Sequence, residues 1–247
     1  PVKMKDGTAY GILKELNPEL IIVVAYGKII PQDILDLPKF GCVNIHASLL
    51  PRYRGAAPIQ WCVLNGEKKS GVTSMQMDAG LDTGDMLIKA ETEIDENMTA
   101  GELHDRLSIL GAKVMSETIK KIIDGTLVRT KQDDTLSNYA PMLSKELCPI
   151  NWSDSAEKIH NQVRGLSPWP IATSMLNGEI YKLHKTVKAG KTNGEPGEIT
   201  SLDKGITVAC GDGNGIRIVT IQAPGKKAMN CEDFLRGHKI EVGEKFN

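Results

Sequence analysis

Two short stretches hold side chains whose types and spacing are suited to chemistry. In NIHASLLPRYRGAAPIQW (44–61) an asparagine and a histidine stand two residues apart at the end of an apolar run. In GVTSMQMDAGLDTGDML (71–87) three acids, Asp78, Asp82 and Asp85, fall in a glycine-punctuated loop. Side chains alternate across a strand, so Asn44 and His46 share one face while Val43 and Ile45 take the other. Pro51 and Gly55 cannot continue a central strand, which therefore ends at His46. Open α/β sheets bind ligands at the carboxyl ends of strands, so an amide and an imidazole are expected at the mouth of a site. A histidine that merely caps its strand, and acids that merely populate a turn, would look the same locally. Together, an amide, an imidazole and a carboxylate without a serine or cysteine nucleophile point to direct transfer between two bound substrates. The amide and a protonated imidazole can donate to a developing oxyanion, and a carboxylate can orient the ring.

The elements that must position these groups alternate in type. LIIVVAY (20–26) is a β-branched run expected to be a strand buried on both faces. Helical spacing precedes it in AYGILKELNPE, and PQDILDL after it opens with proline as a short helix would. GCVNIHAS is the second strand, residues 60–65 a helix, GVTSMQM the third strand and MLIKAETEI the fourth. A long amphipathic helix follows from Thr99, with Glu102 completing a capping box. This pattern predicts an α/β fold: an open, mostly parallel Rossmann-like domain over residues 1–132. The segment 133–152 reads as a polar linker. Residues 153–247 begin with a helix capped by Ser153 or Ser155 and continue as short alternating strands, predicting a small C-terminal β-barrel, OB-like in kind. GDGNG (211–215) is read as a hairpin turn rather than a phosphate loop, because no helix follows it. The opening PVKMKDGTAY reads as two unrelated pieces, so an N-terminal βαβ portion is expected to be absent, with residues skipped around Met4.

Composition narrows the class. Of the 247 residues, 40% are apolar and 25% charged, with a formal charge of −1, so bulk attraction to nucleic acid is not the basis of function. No apolar run approaches the roughly 20 residues of a bilayer span. The five cysteines form no CxxC pair, which argues for small buried thiols in a reducing, cytoplasmic setting rather than disulfides or zinc. Lys182, Lys185, Lys188 and Lys191 are bunched, as are Lys226 and Lys227, although Lys and Arg barely outnumber acids beyond Leu147. Trp152 and Trp169 are expected in the core.

The two motif stretches, with GLSPWPIA (165–172) and QAPGKKAMNCEDFLRG (222–237), resemble the folate-dependent formyltransferases from about Leu20 to the end. The resemblance implies that Asn44, His46 and Asp82 are catalytic, and that Asp78 and Asp85 are turn or solvent residues. Ser48, Leu49, Leu50 and Pro51 would border the folate, and Tyr26 and Gly27 would help wall the pterin. It also implies 10-formyltetrahydrofolate as formyl donor, no metal, and the α-amine of initiator methionyl-tRNA as acceptor, in a bacterial-type cytoplasm or an organelle. Arg52, Arg54, Lys182, Lys185, Lys226 and Lys227 would meet the anionic ligands, and a monomer is expected. The same catalytic trio serves other acceptors, such as a purine precursor or an amino sugar, and a chain lacking its start would leave a folate- or tRNA-binding remnant. The C-terminal domain favours tRNA.

Overall fold

The computed structural model describes Met4 and residues 6–247, in two compact units. The expected discontinuity around Met4 falls on residues outside the described ones. The first unit holds the chain up to Ile59, Lys69–Glu93 and His104–Met142, and the second holds Gln60–Lys68, Ile94–Leu103 and Leu143–Asn247.

In the first unit, α1 (Thr8–Leu16), β1 (Ile21–Val24), α2 (Gln32–Leu35), β2 (Cys42–His46) and the short β3 (Arg54–Gly55) come in succession. After α3 (Pro58–Leu64), whose last residues fall in the second unit, come β4 (Lys69–Gln76) and β5 (Met86–Glu93). The sheet order is β1-β2-β4-β5. The Rossmann-like α/β class holds, but within this four-stranded sheet, among the described residues, only β1–β2 is a parallel pair. β4 runs antiparallel to both β2 and β5, so this part of the sheet is mixed rather than mostly parallel. The physical reason is local. β4 starts beside the end of β2, with His46 opposite Thr73, and residues 77–85 contain no helix that could carry the chain back for a parallel crossover.

One face of this sheet is covered by α4 (Ala100–Ile123), whose later turns lie in the first unit. A Cβ on Gly111 would sit 3.2 Å from Ile45, and the Ser74 hydroxyl meets Thr118 at 2.7 Å, so Ile45 and Ser74 look toward the helix. Asn44 and His46 therefore look the other way, where Leu50, Met75 and Met86 form a small apolar cluster. β1 departs from expectation. It is an edge strand among the described residues, with Ile22 and Val24 45% and 60% exposed, while Val23 packs into the cluster with Ile34, Leu35 and Cys42 and the partly buried Ile21 packs against it.

The second unit takes in Gln60–Lys68 and the start of α4, where the capping box forms: Thr99 N donates to Glu102 at 2.8 Å and Glu102 N to Thr99 Oγ1 at 3.2 Å. Between α4 and α5 (Ala156–Gly165) the chain makes a 3-10 turn and the two-residue β6 (Tyr139–Ala140), both in the first unit, and then a second 3-10 turn in the second unit; α5 is capped by Ser155. The strands that follow are β7 (Ala172–Leu176), β8 (Glu179–Lys191), β9 (Ile199–Ser201), β10 (Ile206–Ala209), β11 (Asn214–Gln222) and β12 (Met229–Asn230), before α6 (Cys231–Gly237). They form one antiparallel sheet ordered β7-β8-β11-β10-β9, with β12 on β11. The C-terminal tail bridges its two edges: Asn247 exchanges backbone bonds of 2.9 and 2.8 Å with Met175 on β7, while Ile199 N bonds Glu244 O at 2.8 Å on the other side. Phe246 plugs the closure, 1% exposed and 5.8 Å from the Trp152 ring.

The 211–215 stretch is the β10–β11 hairpin turn, with Gly213 at φ +74° and Asp212 accepting from Ala156 N at the start of α5. All five cysteines are free and buried. Trp152 lies in the core as expected, but Trp169 is 59% exposed. It lies in a surface stretch between the exposed Pro168 and the partly exposed Pro170, so its ring is left outside. Because Phe246 fills the seam that its own tail closes, Phe246→Ala should destabilise the protein by about 3–5 kcal/mol. Chemical denaturation measures this, and a loss below about 1 kcal/mol would show that the tail does not close the sheet.

Candidate active site

His46 ends β2 and is 6% exposed. Its Nε2 lies 2.8 Å from the Tyr53 carbonyl, and its Nδ1 lies 3.6 Å from Asp82 Oδ2. Both ring nitrogens thus face oxygen acceptors. A neutral imidazole has one N–H and can donate to one of them, whereas an imidazolium donates to both. Asn44, two residues earlier on the same face, is half-buried, and among the described residues its side-chain amide has no protein partner. The three groups that the resemblance implies are thereby placed as follows: His46 and Asp82 in direct apposition, Asn44 beside them with a free amide.

Asp82 arrives by an indirect route. β4 is antiparallel to β2, so the acidic loop leaves the sheet opposite Val43, at the far end from His46, and folds back over the face. Two short contacts allow this. Gly84 packs against the Gln76 carbonyl so closely that a Cβ would overlap it, and Gly80 packs likewise against the Thr83 hydroxyl. Asp78 Oδ1 accepts from Gly80 N at 3.1 Å and from Thr83 Oγ1 at 2.7 Å, so it shapes the turn. Asp82 itself sits at φ +54°, and its Oδ2 accepts from Gly55 N at 2.8 Å.

The SLLP loop is built from inside. Ser48 and Leu50 are buried: the Ser48 hydroxyl donates to Arg52 O at 2.6 Å, and Thr73 Oγ1 ties Ser48 O and Leu50 N. These two shape the loop, and only Leu49 and Pro51 are partly exposed. Lys89 Nζ donates to Leu50 O at 2.6 Å, and burial pushes its ammonium pKa down. Tyr26 and Gly27 are exposed at the end of β1, the Tyr26 hydroxyl reaching Met4 Sδ at 3.0 Å.

Arg54 is not available to an anionic ligand in this arrangement. It is 12% exposed and spent on Gln132, at 3.0 and 2.8 Å, and on Asp134, at 2.8 Å. Sequence reading missed this region, taking residues from 133 onward as a linker and passing over Gln132. β6 pairs with β3, Asn138 Oδ1 accepts from Tyr53 N at 2.6 Å, and Gln132 reaches the acidic loop. Lys182, Lys185, Lys226 and Lys227 are exposed in the second unit, whereas Lys188 is paired with Glu96 and Glu157 at 2.7 Å each. Among the described residues no cluster of three or more His, Cys, Asp or Glu forms a metal-ligand set, and no helix is long and apolar enough to cross a membrane.

Residues 2–119 match the formyl transferase family model, and residues 142–239 match the model of the formyl transferase C-terminal domain. The chain belongs to the formyl transferase family. The methionyl-tRNA formyltransferase of Geobacter metallireducens is 51% identical over 244 residues, a match covering 98% of this chain and 78% of that protein. Among solved structures, the N-formyltransferase from Helicobacter canadensis, in complex with folinic acid and dTDP-3-aminofucose, superposes with a TM-score of 0.68 at 25% identity, over 85% of this chain and 77% of that one. HypX from Aquifex aeolicus, in complex with tetrahydrofolic acid, gives a TM-score of 0.71 at 19% identity, a likeness of fold spanning 94% of this chain but only 43% of that one.

Gly84→Ala would drive a methyl into the Gln76 carbonyl, so the acidic loop must shift. The expected cost is about 1–3 kcal/mol, with Asp82 displaced from Gly55. A Gly55 amide resonance unchanged from wild type would disprove the coupling.

Proposed function

We propose that this formyl transferase moves the formyl group of 10-formyltetrahydrofolate to the α-amine of methionyl-tRNA. The carrying observation is the apposition of His46 and Asp82 at 3.6 Å, beside the unengaged amide of Asn44. The acceptor is supported by the 51% identity to a methionyl-tRNA formyltransferase, against 25% to a neighbour that takes an amino sugar nucleotide.

In this reading the amine attacks as the neutral base, its lone pair adding to the formyl carbon. The carbonyl oxygen becomes an oxyanion, and Asn44 can donate to it without rearrangement. His46 joins by exchanging the Tyr53 carbonyl for the oxyanion, its other nitrogen staying toward Asp82. Proton transfer from the attacking nitrogen to N10 of the folate then lets the C–N10 bond break, and Asp82 with His46 carries that proton. Tyr26, Gly27, Leu49 and Pro51 offer exposed surface for the folate, while Ser48 and Leu50 act by fixing the loop. Lys182, Lys185, Lys226 and Lys227, with Arg52, are the cations that would meet tRNA phosphates.

Transfer of labelled formyl from 10-formyltetrahydrofolate to methionyl-tRNA tests the reaction. Asn44→Ala, His46→Asn and Asp82→Ala should each keep a folded protein and lose about 10²–10³ in kcat, the cost of one oxyanion donor or its support. Near-normal turnover in any one variant removes that residue from the mechanism. Absence of transfer by the wild type removes the reaction.

A further inference from the structure

Gln132 lies 50 residues beyond Asp82 and is 5% exposed, with every polar position of its amide in use. Its Nε2 donates to the carbonyls of Asp82 and Gly84, both at 2.8 Å. Its Oε1 accepts from Arg54 Nε at 3.0 Å and Nη2 at 2.8 Å. The orientation of the amide follows from its partners: a guanidinium only donates and a backbone carbonyl only accepts, so the reverse orientation would face like with like. The residue it grips is one that needs holding. Asp82 is at φ +54°, a left-handed conformation that disfavours a residue with a Cβ and is held by its surroundings.

We propose that Gln132, itself oriented by Arg54, is a positioning residue that holds Asp82 in this conformation and so sets its carboxylate against His46. The amide bonds both the strained residue and the glycine two places on, clamping the backbone on each side of Thr83. It does so as a neutral group. The Arg54 guanidinium is drawn to Oε1 and to Asp134, which leaves the Asp82 carboxylate to His46 and to Gly55 N.

The test compares wild type with Gln132→Met, which keeps volume but removes every bond, and Gln132→Glu, which keeps an acceptor for Arg54 but no donor for the two carbonyls. The kinetic arm rests on the formyl-transfer reading; the amide-exchange arm does not. Both variants should lose about 10–100-fold in kcat with little change in KM for methionyl-tRNA, as expected of a small misplacement of a catalytic group. In both, exchange of the Gly55 amide should accelerate about tenfold or more. The Arg54 and Ala57 amides, bonded to Asn138 O and Ala140 O at 3.0 and 3.2 Å, should keep their protection. A Glu variant with wild-type kcat and a protected Gly55 amide would mean that Gln132 only serves Arg54, overturning the proposal. So would loss of protection at all three amides together, which would mark Gln132 as a prop for the whole segment. The expected exchange pattern in the two variants, with no formyl transfer by the wild type, would support the positioning and remove the functional reading instead.

Discussion

The first unit is organised around one constraint: the His46 ring is held between two acceptors that do not belong to its own strand. One is the Tyr53 carbonyl and the other is the Asp82 carboxylate. A strand end supplies a fixed Cβ position but not a fixed ring, and an imidazole with one unpartnered nitrogen would be free to turn. Each acceptor in turn sits on a loop that would wander without support. Tyr53, at φ +58°, is anchored by Asn138, and Asp82, at φ +54°, by Gly55 N and Gln132. Two non-glycine residues in left-handed backbone flanking one histidine is a concentration of strain at the place where the chemistry would occur.

The mixed sheet explains why so much apparatus is needed. In a parallel sheet, successive loops at the carboxyl ends converge without further help. Here β4 is antiparallel, so the acidic loop starts at the wrong end and must cross the face to reach His46. Glycine at position 84, where no Cβ fits beside the Gln76 carbonyl, makes the fold-back possible, and Gln132 bonds the same residue's carbonyl. Neither feature would be required of a loop that began on the correct side.

What could be read from sequence follows from the range of the interactions. Asn44 and His46 share a face because alternation is local, and the Thr99–Glu102 box and the Ser155 cap are visible within four residues. The pairing of Asp82 with His46 was reached through long motifs; a mostly parallel sheet would have put the acidic loop at the same end as His46, whereas the antiparallel β4 starts it at the other. β1 looked buried because β-branched runs usually are, yet its strand partners, not its composition, decide exposure. Trp169 was misplaced for a similar reason: composition favours burial of a large ring, but the stretch that carries it runs along the surface. The closure of the second unit was invisible because Phe246 and Asn247 pair with residues around Gly197 and Met175, some 50 to 70 positions earlier.

The linker misreading is the most instructive of these, because polarity was taken to mean solvation. Residues 132–140 are polar since they bond to polar backbone that the site leaves exposed: Gln132 to Asp82 and Gly84, Asn138 to Tyr53, β6 to β3. Arg54 shows the same inversion of sign. A basic residue in a loop beside a candidate site reads as an anion binder, yet burying a guanidinium without partners is costly, so its near-complete burial already implies that its charge is compensated within the protein. Asp134 provides the counter-charge from an exposed position, and the neutral Gln132 takes the remaining donors. An acid in place of that amide would bring a second carboxylate close to Asp82, and like charges in a partly buried site disfavour the ionised form of each. A neutral amide meets both demands, its oxygen accepting twice from Arg54 and its nitrogen donating twice to the carbonyls of the acidic loop.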